Sequence, residues 1–419
     1  MNVGLISLLA LILAIILGFT RKTNVGILSI GFAMVIAIVF KSETVTTKAV
    51  ISGFSTSLFI QMVGVTYLFA IINGNGTLEL LAKKIVSLVP VHAIPVAMFL
   101  IGMVLSAVGP GSIPCLAIIP VIAIPLSVSA GINPIMVSII GDMGAMAGRM
   151  SPLTPEAAVV RSLMEAQGME ANTVPIMICT AITAVVCSLL IYVYYKGWKV
   201  DKAYAAGTKE ALPKFNWQQL LSLLGLVLLA VGVLVLKWNV GLTGFLIGSI
   251  LNVIGCGQDK KAVSGVPWNV ILMVLGVGML MNIVSLSGGI DLLVSTLESF
   301  MGPKSAAPIM ALTAGIMSFF SSGLGVVFPT LVPVCGGLAS GLGVDGIQLV
   351  TMVVIGGTIA GYTPISTTGA LIMAGVAQQP DSETRFPQNK LFVELFAVSL
   401  LNLVVLAVMA LCGIYTLIV

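Results

Sequence analysis

Two ionisable residues lie in one largely apolar stretch of the sequence, GDMGAMAGRMSPLTPEA at 141–157. Charged groups at membrane depth usually face a cavity or a partner and mark a pathway for substrate or ions. Asp142 and Arg149 stand seven positions apart, and an intact helix rises about 10.5 Å over that distance, so a direct ion pair is the less favoured alternative. We predict that Arg149 binds a substrate carboxylate and that Asp142 takes the coupling cation or proton. Glu156 is predicted to cap the helix that follows the break.

Glycine, proline and hydroxyl residues interrupt the apolar sequence at four places, 109–112, 148–155, 321–323 and 356–364. A broken helix leaves backbone N–H and C=O groups that lipid cannot satisfy, so such breaks persist where they line a cavity. Half-helix N-termini favour carboxylates, and exposed carbonyls favour cations. The interruptions therefore predict a site at the membrane midplane. Close helix packing is the alternative for single glycines such as Gly148.

The composition identifies the elements that position these residues. The chain is 58% hydrophobic and 8% charged, whereas a soluble domain averages about 25% charged residues. Its apolar runs continue for about twenty residues, which predicts membrane helices rather than a β-barrel. The predicted fold class is an all-α polytopic membrane protein. Spans are predicted at 3–19, 24–40, 54–73, 172–195, 217–236, 239–256, 268–286 and 391–418.

The two halves of the chain repeat at an offset of 212 residues, at which 62–81 aligns with 274–293. We predict repeat 1 over 1–198, a cytoplasmic linker at 199–216, and repeat 2 over 217–419. Repeat 1 is divided into scaffold spans 3–73, a hairpin at 93–129, a broken helix at 132–164 and a span at 172–195. Repeat 2 is divided into scaffold spans 217–286, a hairpin at 305–340, a broken helix at 345–378 and a span at 391–418.

Each repeat is predicted to cross the membrane five times and to hold one re-entrant hairpin. An odd number of crossings inverts the second repeat relative to the first, as in secondary transporters. With both termini periplasmic or extracellular, the Lys83-Lys84 and Lys260-Lys261 pairs and most other basic residues lie on the cytoplasmic side. The positive-inside rule supports this topology. We expect a multi-pass protein of a bacterial cytoplasmic (inner) membrane.

The sequence contains no nucleotide-binding loop and no hydrolase or zinc-protease motif. Its single histidine, His92, stands alone, and its six cysteines lie inside apolar segments without metal-ligand spacing. We therefore predict that the protein is not an enzyme, binds no nucleic acid and needs no cofactor beyond Na⁺ as a coupling ion.

Several segments resemble MatC-type dicarboxylate (malonate) carriers of the ion-transporter group, which are related to dicarboxylate/sodium symporters and C4-dicarboxylate carriers. The resemblance is carried by 2–40, by 53–85, by VGPGSIPCLAIIPV (108–121), by SPLTPEA (151–157), by FSSGLGVVFPTLVP (320–333) and by GYTPISTTGALIMAG (361–375). It implies two hairpins and two broken helices per protomer, a homodimer and an elevator-type movement. The hairpin tips lack the Ser-Asn-Thr of the sodium symporters, which leaves Na⁺ or H⁺ as the coupling ion.

The resemblance also implies which residues bind. Substrate contacts, besides Arg149, are expected at Gly111, Ser112, Ser151, Thr154, Ser321, Ser322, Gly323, Thr363, Pro364, Ser366 and Thr367. Besides Asp142, which the residues themselves predict, the coupling cation or proton is expected at Ser112, Gly148, Ser322, Gly361 and Thr367. Together these expectations describe a secondary active transporter that couples a small dicarboxylate to a cation or exchanges it. A monocarboxylate or amino-acid carrier is the alternative, because one arginine needs only one carboxylate.

Overall fold

The computed structural model describes residues 2–40, 43–87, 89–109, 111–199, 212–320, 322–364, 366–377 and 386–419. Helices and connecting turns make up these ranges, and no strand occurs in them. The predicted all-helical fold class is confirmed.

The first half of the chain folds into helices that begin and end close to the predicted segment boundaries. They are α1 (Val3–Arg21), α2 (Val25–Phe40), α3 (Thr47–Ser52), α4 (Thr56–Gly74), α5 (Thr77–Ser87), α6 (Ile94–Ala107), α7 (Ser112–Ala130), α8 (Pro134–Gly148), α9 (Pro155–Glu165) and α10 (Val174–Tyr194). A short 3₁₀ turn, Val91–Ala93, precedes α6.

The second half contains the same order of long and short helices. They are α11 (Trp217–Leu234), α12 (Val240–Val253), α13 (Asp259–Gly265), α14 (Trp268–Leu286), α15 (Gly289–Glu298), α16 (Ala306–Phe320), α17 (Phe328–Leu342), α18 (Gly346–Ile359), α19 (Thr367–Ala377) and α20 (Gln388–Leu411). A π-helical turn, Gly323–Val327, joins the tip of the second hairpin to α17. The described chain ends after a 3₁₀ turn, Tyr415–Leu417.

Helix length and hydropathy match a membrane protein. Stretches long and apolar enough to cross a bilayer are Thr47–Gly74, Val174–Tyr194, Trp268–Leu286, Gly323–Leu342 and Lys390–Leu411. Other apolar helices are shorter, among them α6 with 14 residues and α8 with 15. At 1.5 Å per residue these reach about 21–23 Å, less than the roughly 30 Å of hydrocarbon. Neither helix is long enough by itself to cross that thickness.

Polar caps explain where the short inner helices begin. The Asn133 side chain accepts hydrogen bonds from the backbone N–H groups of Ile135 (2.9 Å) and Met136 (3.1 Å) at the start of α8. Asp345 accepts in the same way from Ile347 (2.7 Å) at the start of α18. Each cap satisfies N–H groups that have no partner inside the helix. The two capped helices begin 212 residues apart, at Pro134 and Gly346.

Glycine contacts join helices of the two halves. α4 packs on α12, and α14 packs on α2. A Cβ added to Gly64 would lie 2.0 Å from the carbonyl oxygen of Gly241, and one added to Gly276 would lie 2.2 Å from that of Gly26. Small residues of this kind let membrane helices approach to backbone contact. We call these two contacts the glycine crossings.

Replacing Gly64 by valine is expected to destabilise the protein, because its side chain would collide with the Gly241 backbone. Overpacking of this kind costs about 1–3 kcal/mol or more. Thermal unfolding in detergent, with the amount of monodisperse protein recovered, measures the effect. Gly31→Ala in α2 is the control, since a Cβ there meets nothing within 4 Å. An unfolding temperature of Gly64→Val equal to that of Gly31→Ala would contradict the prediction.

Candidate functional site

A cavity of about 720 Å³ lies between the α1–α2 and α14 segments on one side and the hairpin tips and helix breaks on the other. Several predicted site residues line it, and they come from both halves of the chain. They are Ser112, Arg149, Ser322, Gly323, Gly361 and Ser366. Residues far apart in sequence thus line one cavity, and its volume is in the range of small-molecule binding sites.

Arg149 follows directly after the last residue of α8 and is nearly fully buried, with 4% of its surface exposed. Its Nε donates to Oε2 of Glu156 at 3.2 Å, and its Nη1 donates to Oγ1 of Thr358 at 2.7 Å. The guanidinium carbon lies 5.2 Å from the centre of the Phe328 ring, within cation–π range. Among the described hydrogen bonds, none uses Nη2. The arginine is therefore held in place with part of its fork unused beside the cavity.

Glu156 caps a different helix from the one predicted. Its Oε1 accepts a hydrogen bond from Oγ of Ser112 (2.7 Å), and its Oε2 accepts from the backbone N of Ser112 (3.0 Å), which is the first residue of α7. The helix that follows the break, α9, is capped by Thr154, whose Oγ1 accepts from the backbone N of Ala157 at 3.1 Å. Glu156 does lie in the first turn of α9, as predicted, but its carboxylate accepts hydrogen bonds from Ser112, 44 residues earlier in the sequence, and Thr154 supplies the hydrogen-bonding cap of α9. We call Arg149, Glu156 and Ser112 the buried triad.

Gly111 permits this contact between the first hairpin tip and the break. Its φ of +73° lies in the left-handed region that side chains rarely adopt. A Cβ at this position would also lie 2.9 Å from Oε2 of Glu156. Glycine is needed here for the turn and for the close approach of the carboxylate.

Asp142 is fully buried and does not line the cavity. In the part of the chain that the structure describes, neither of its carboxylate oxygens has a hydrogen-bond partner. The alternative of a direct Asp142–Arg149 ion pair is not formed, since Arg149 pairs with Glu156 instead. A buried carboxyl without a partner is costly, and residues kept in that state are candidates for binding a proton or cation.

Other predicted residues are engaged in the helix breaks themselves. The hydroxyl of Thr363 donates to the carbonyl of Phe319 (3.3 Å), and that of Ser366 donates to the carbonyl of Gly361 (2.7 Å). Backbone N–H of Ser151 donates to the carbonyl of Gly148 at 3.1 Å. These bonds satisfy backbone groups that a break would otherwise leave unpaired. Pro364 lies in the same turn as Thr363.

Close packing accounts for Gly148 and Gly323. A Cβ on Gly148 would lie 2.2 Å from the carbonyl oxygen of Met103 in α6, and one on Gly323 would lie 2.1 Å from that of Gly357. Ser321, most of the predicted linker at 199–216 and the side chain of Thr367 lie outside the described part of the structure.

Several cavity residues were not predicted from the sequence, among them Lys22, Ser318 and Thr358. Thr358 lies inside the fourth interruption, 356–364, so its hydroxyl could have been included among the predicted site residues. Within the described ranges, no group of three or more histidine, cysteine and acidic residues could hold a metal ion. Hydroxyl and carbonyl oxygens at the breaks are of the type that hard cations such as Na⁺ prefer.

The fold and the site together are those of a helical membrane protein whose cavity is lined by both halves of the chain. The fold is similar to that of the YdaH transporter from Alcanivorax borkumensis, whose crystal structure was described as revealing an unusual topology. The two share 14% sequence identity, the match covers 87% of each chain, and the TM-score is 0.63. At this identity the likeness shows a common fold.

Residues 1–149 match the family model described as the N-terminus of the dicarboxylate carrier protein MatC. The predicted resemblance to MatC-type carriers is confirmed over these residues. No curated protein sequence matches the chain. The matched family model and the similar solved structure both belong to transport proteins.

Proposed function

We propose that the protein is a secondary active transporter of small dicarboxylates, either C4-dicarboxylates or malonate. The observation that carries this proposal is the placement of Arg149, which is buried, held by Glu156 and Thr358, and lines a cavity between the hairpin tips and helix breaks. A guanidinium fork held in this way favours a planar carboxylate. The match to a dicarboxylate carrier family supports the substrate class.

The charges of the buried triad favour coupling to a cation or proton. Glu156 offsets the charge of Arg149 within their ion pair, so the pair supplies little net positive charge to a dianion. Moving a dianion through a low-dielectric site without compensation is expensive. We propose that Na⁺ or protons accompany the substrate, and that Asp142 is the residue that binds them.

An elevator-type movement of inverted repeats is part of the same proposal. The repeat is supported by helix positions, because α4, α5, α6, α8 and α9 each begin 212 residues before α14, α15, α16, α18 and α19. It is also supported by the two glycine crossings, which join equivalent helix pairs. We further propose a homodimer in a bacterial inner membrane, with both termini on the outer side.

Uptake into proteoliposomes tests the function. Radiolabelled succinate and malonate are offered under an inward Na⁺ gradient, under a proton gradient, and with internal dicarboxylate alone. Uptake under a gradient supports coupled transport, and uptake with internal substrate alone supports exchange. A monocarboxylate or amino-acid carrier is the second candidate, since Arg149 alone needs one carboxylate. It would be favoured if lactate or an amino acid, but neither diacid, were taken up by folded protein.

Replacing Asp142 by asparagine is expected to abolish the dependence of uptake on the coupling gradient, because the amide cannot take up a proton or carry a negative charge. Gradient-driven accumulation should fall about tenfold or more, while exchange is retained. Asp345→Asn is the matched control, since asparagine also caps helices well. Unchanged gradient dependence in Asp142→Asn would exclude this residue from coupling.

A further inference from the structure

A second basic side chain belongs to the same cavity. Lys22 lines it together with Arg149, but it comes from the turn between α1 and α2, whereas Arg149 comes from the break after α8. The backbone at Lys22 is anchored, because its N–H caps the carbonyl of Gly18 at the end of α1. Arg149 is buried, and Lys22 is exposed. The two basic groups therefore reach the cavity from different parts of the fold.

The charges on the cavity wall are of one sign. Lys22 and Arg149 are the charged residues among those that line the cavity in the described structure, and no acidic side chain lines it there. Glu156 lies behind Arg149 and offsets its charge, but none of the described salt bridges involves Lys22. Lys22 thus supplies the uncompensated positive charge of the cavity. A cleft lined by one sign of charge concentrates the oppositely charged ligand.

We propose that Lys22 binds the second carboxylate of the substrate while Arg149 binds the first, and that this pair selects dicarboxylates over monocarboxylates. The inference rests on the proposed function and assigns the substrate class to a specific side chain. A lysine ammonium on a flexible stem suits this position, because it can follow carboxylates at different separations, whereas the fixed fork of Arg149 orients one end.

Lys22→Gln in the full-length protein tests the proposal in proteoliposomes. We expect the apparent KM for succinate to rise about tenfold, because one charge-assisted contact with the substrate is lost. The maximal rate should change little. Competition by butyrate, which has one carboxylate, should be unchanged. Lys22→Arg should keep a KM within about threefold of the wild type. Arg21→Gln is the matched control, since Arg21 is the adjacent exposed basic residue and is absent from the cavity lining.

The variant Lys22→Gly tests whether the rise in KM comes from the lost charge and not from a change in the fold. Lys22 has a φ of +54°, a conformation that glycine adopts without strain. This variant should fold at least as well as the wild type and show the same rise in KM as Lys22→Gln.

The outcomes separate the two proposals. No uptake of either diacid by folded wild type defeats the proposed function itself. Uptake by the wild type with an unchanged succinate KM in Lys22→Gln overturns the role of Lys22 and leaves the transporter standing. An equal weakening of succinate and butyrate also overturns it, because Lys22 would then act on the carboxylate that both acids share and not on a second one.

Discussion

Replacing Arg149 and Glu156 together by glutamine is expected to lower succinate uptake about 100-fold or more, while the protein still folds. Removing a buried hydrogen-bonded charge that holds a ligand costs about 2–5 kcal/mol, and each 1.4 kcal/mol corresponds to a factor of ten. The exchange removes one positive and one negative charge, so no unpaired charge is left behind. Replacing Arg149 alone would leave the buried Glu156 carboxylate without its ion-pair partner. A loss of uptake would then reflect both unfolding and lost substrate binding.

The double variant keeps the hydrogen bonds that position the break. A glutamine at 156 can accept from the backbone N–H of Ser112 with its amide oxygen and donate its amide N–H to the Ser112 hydroxyl oxygen, the two groups that contact Glu156 at 3.0 and 2.7 Å. The initial rate of uptake and the thermal unfolding temperature are measured on the same preparations. Uptake within a factor of three of the wild type, in protein that unfolds at a similar temperature, would show that Arg149 does not hold the substrate.

Replacing Glu156 alone by alanine is expected to cause a large loss of stability. Breaking a buried ion pair by removing one partner costs about 3–5 kcal/mol, because the remaining charge is left unpaired in a low-dielectric site. The change also removes the acceptor from the backbone N of Ser112, the first residue of α7. Thermal unfolding in detergent should show a marked decrease, and the yield of monodisperse protein should fall.

A neighbouring acidic residue provides the control for this variant. Glu165 lies in the same helix, α9, but is exposed. Glu165→Ala should change the free energy of unfolding by no more than about 0.5 kcal/mol. The glutamine double variant should recover much of the stability lost in Glu156→Ala. If Glu156→Ala and Glu165→Ala unfold at the same temperature, the buried triad does not stabilise the fold.

Sequence reasoning located the helices because membrane insertion depends on local composition. An apolar run such as 268–286 predicts its own span, and the helix Trp268–Leu286 has the same bounds. Arg149 was also identifiable, since a guanidinium in an apolar segment is costly wherever the segment packs. These features depend on the residues themselves and on the bilayer, so no knowledge of tertiary contacts is needed.

The partners of Arg149 were not predictable in the same way. Thr358 lies 209 residues away, and the Ser112 that binds Glu156 lies 44 residues before it. Such contacts exist only after the hairpin and both breaks have come together. Glu156 illustrates the difficulty, because its position in the first turn of α9 favours a local cap. The folded protein instead uses its carboxylate to join two elements, while Thr154 serves the local need.

The glycine crossings have a consequence for how the chain is made. Gly26 contacts Gly276, and Gly64 contacts Gly241, so each early helix packs against one that the ribosome has yet to synthesise. Although the first half contains a full set of helices, these two contacts need residues of α12 and α14. Both glycine crossings therefore form only after those two helices have been synthesised.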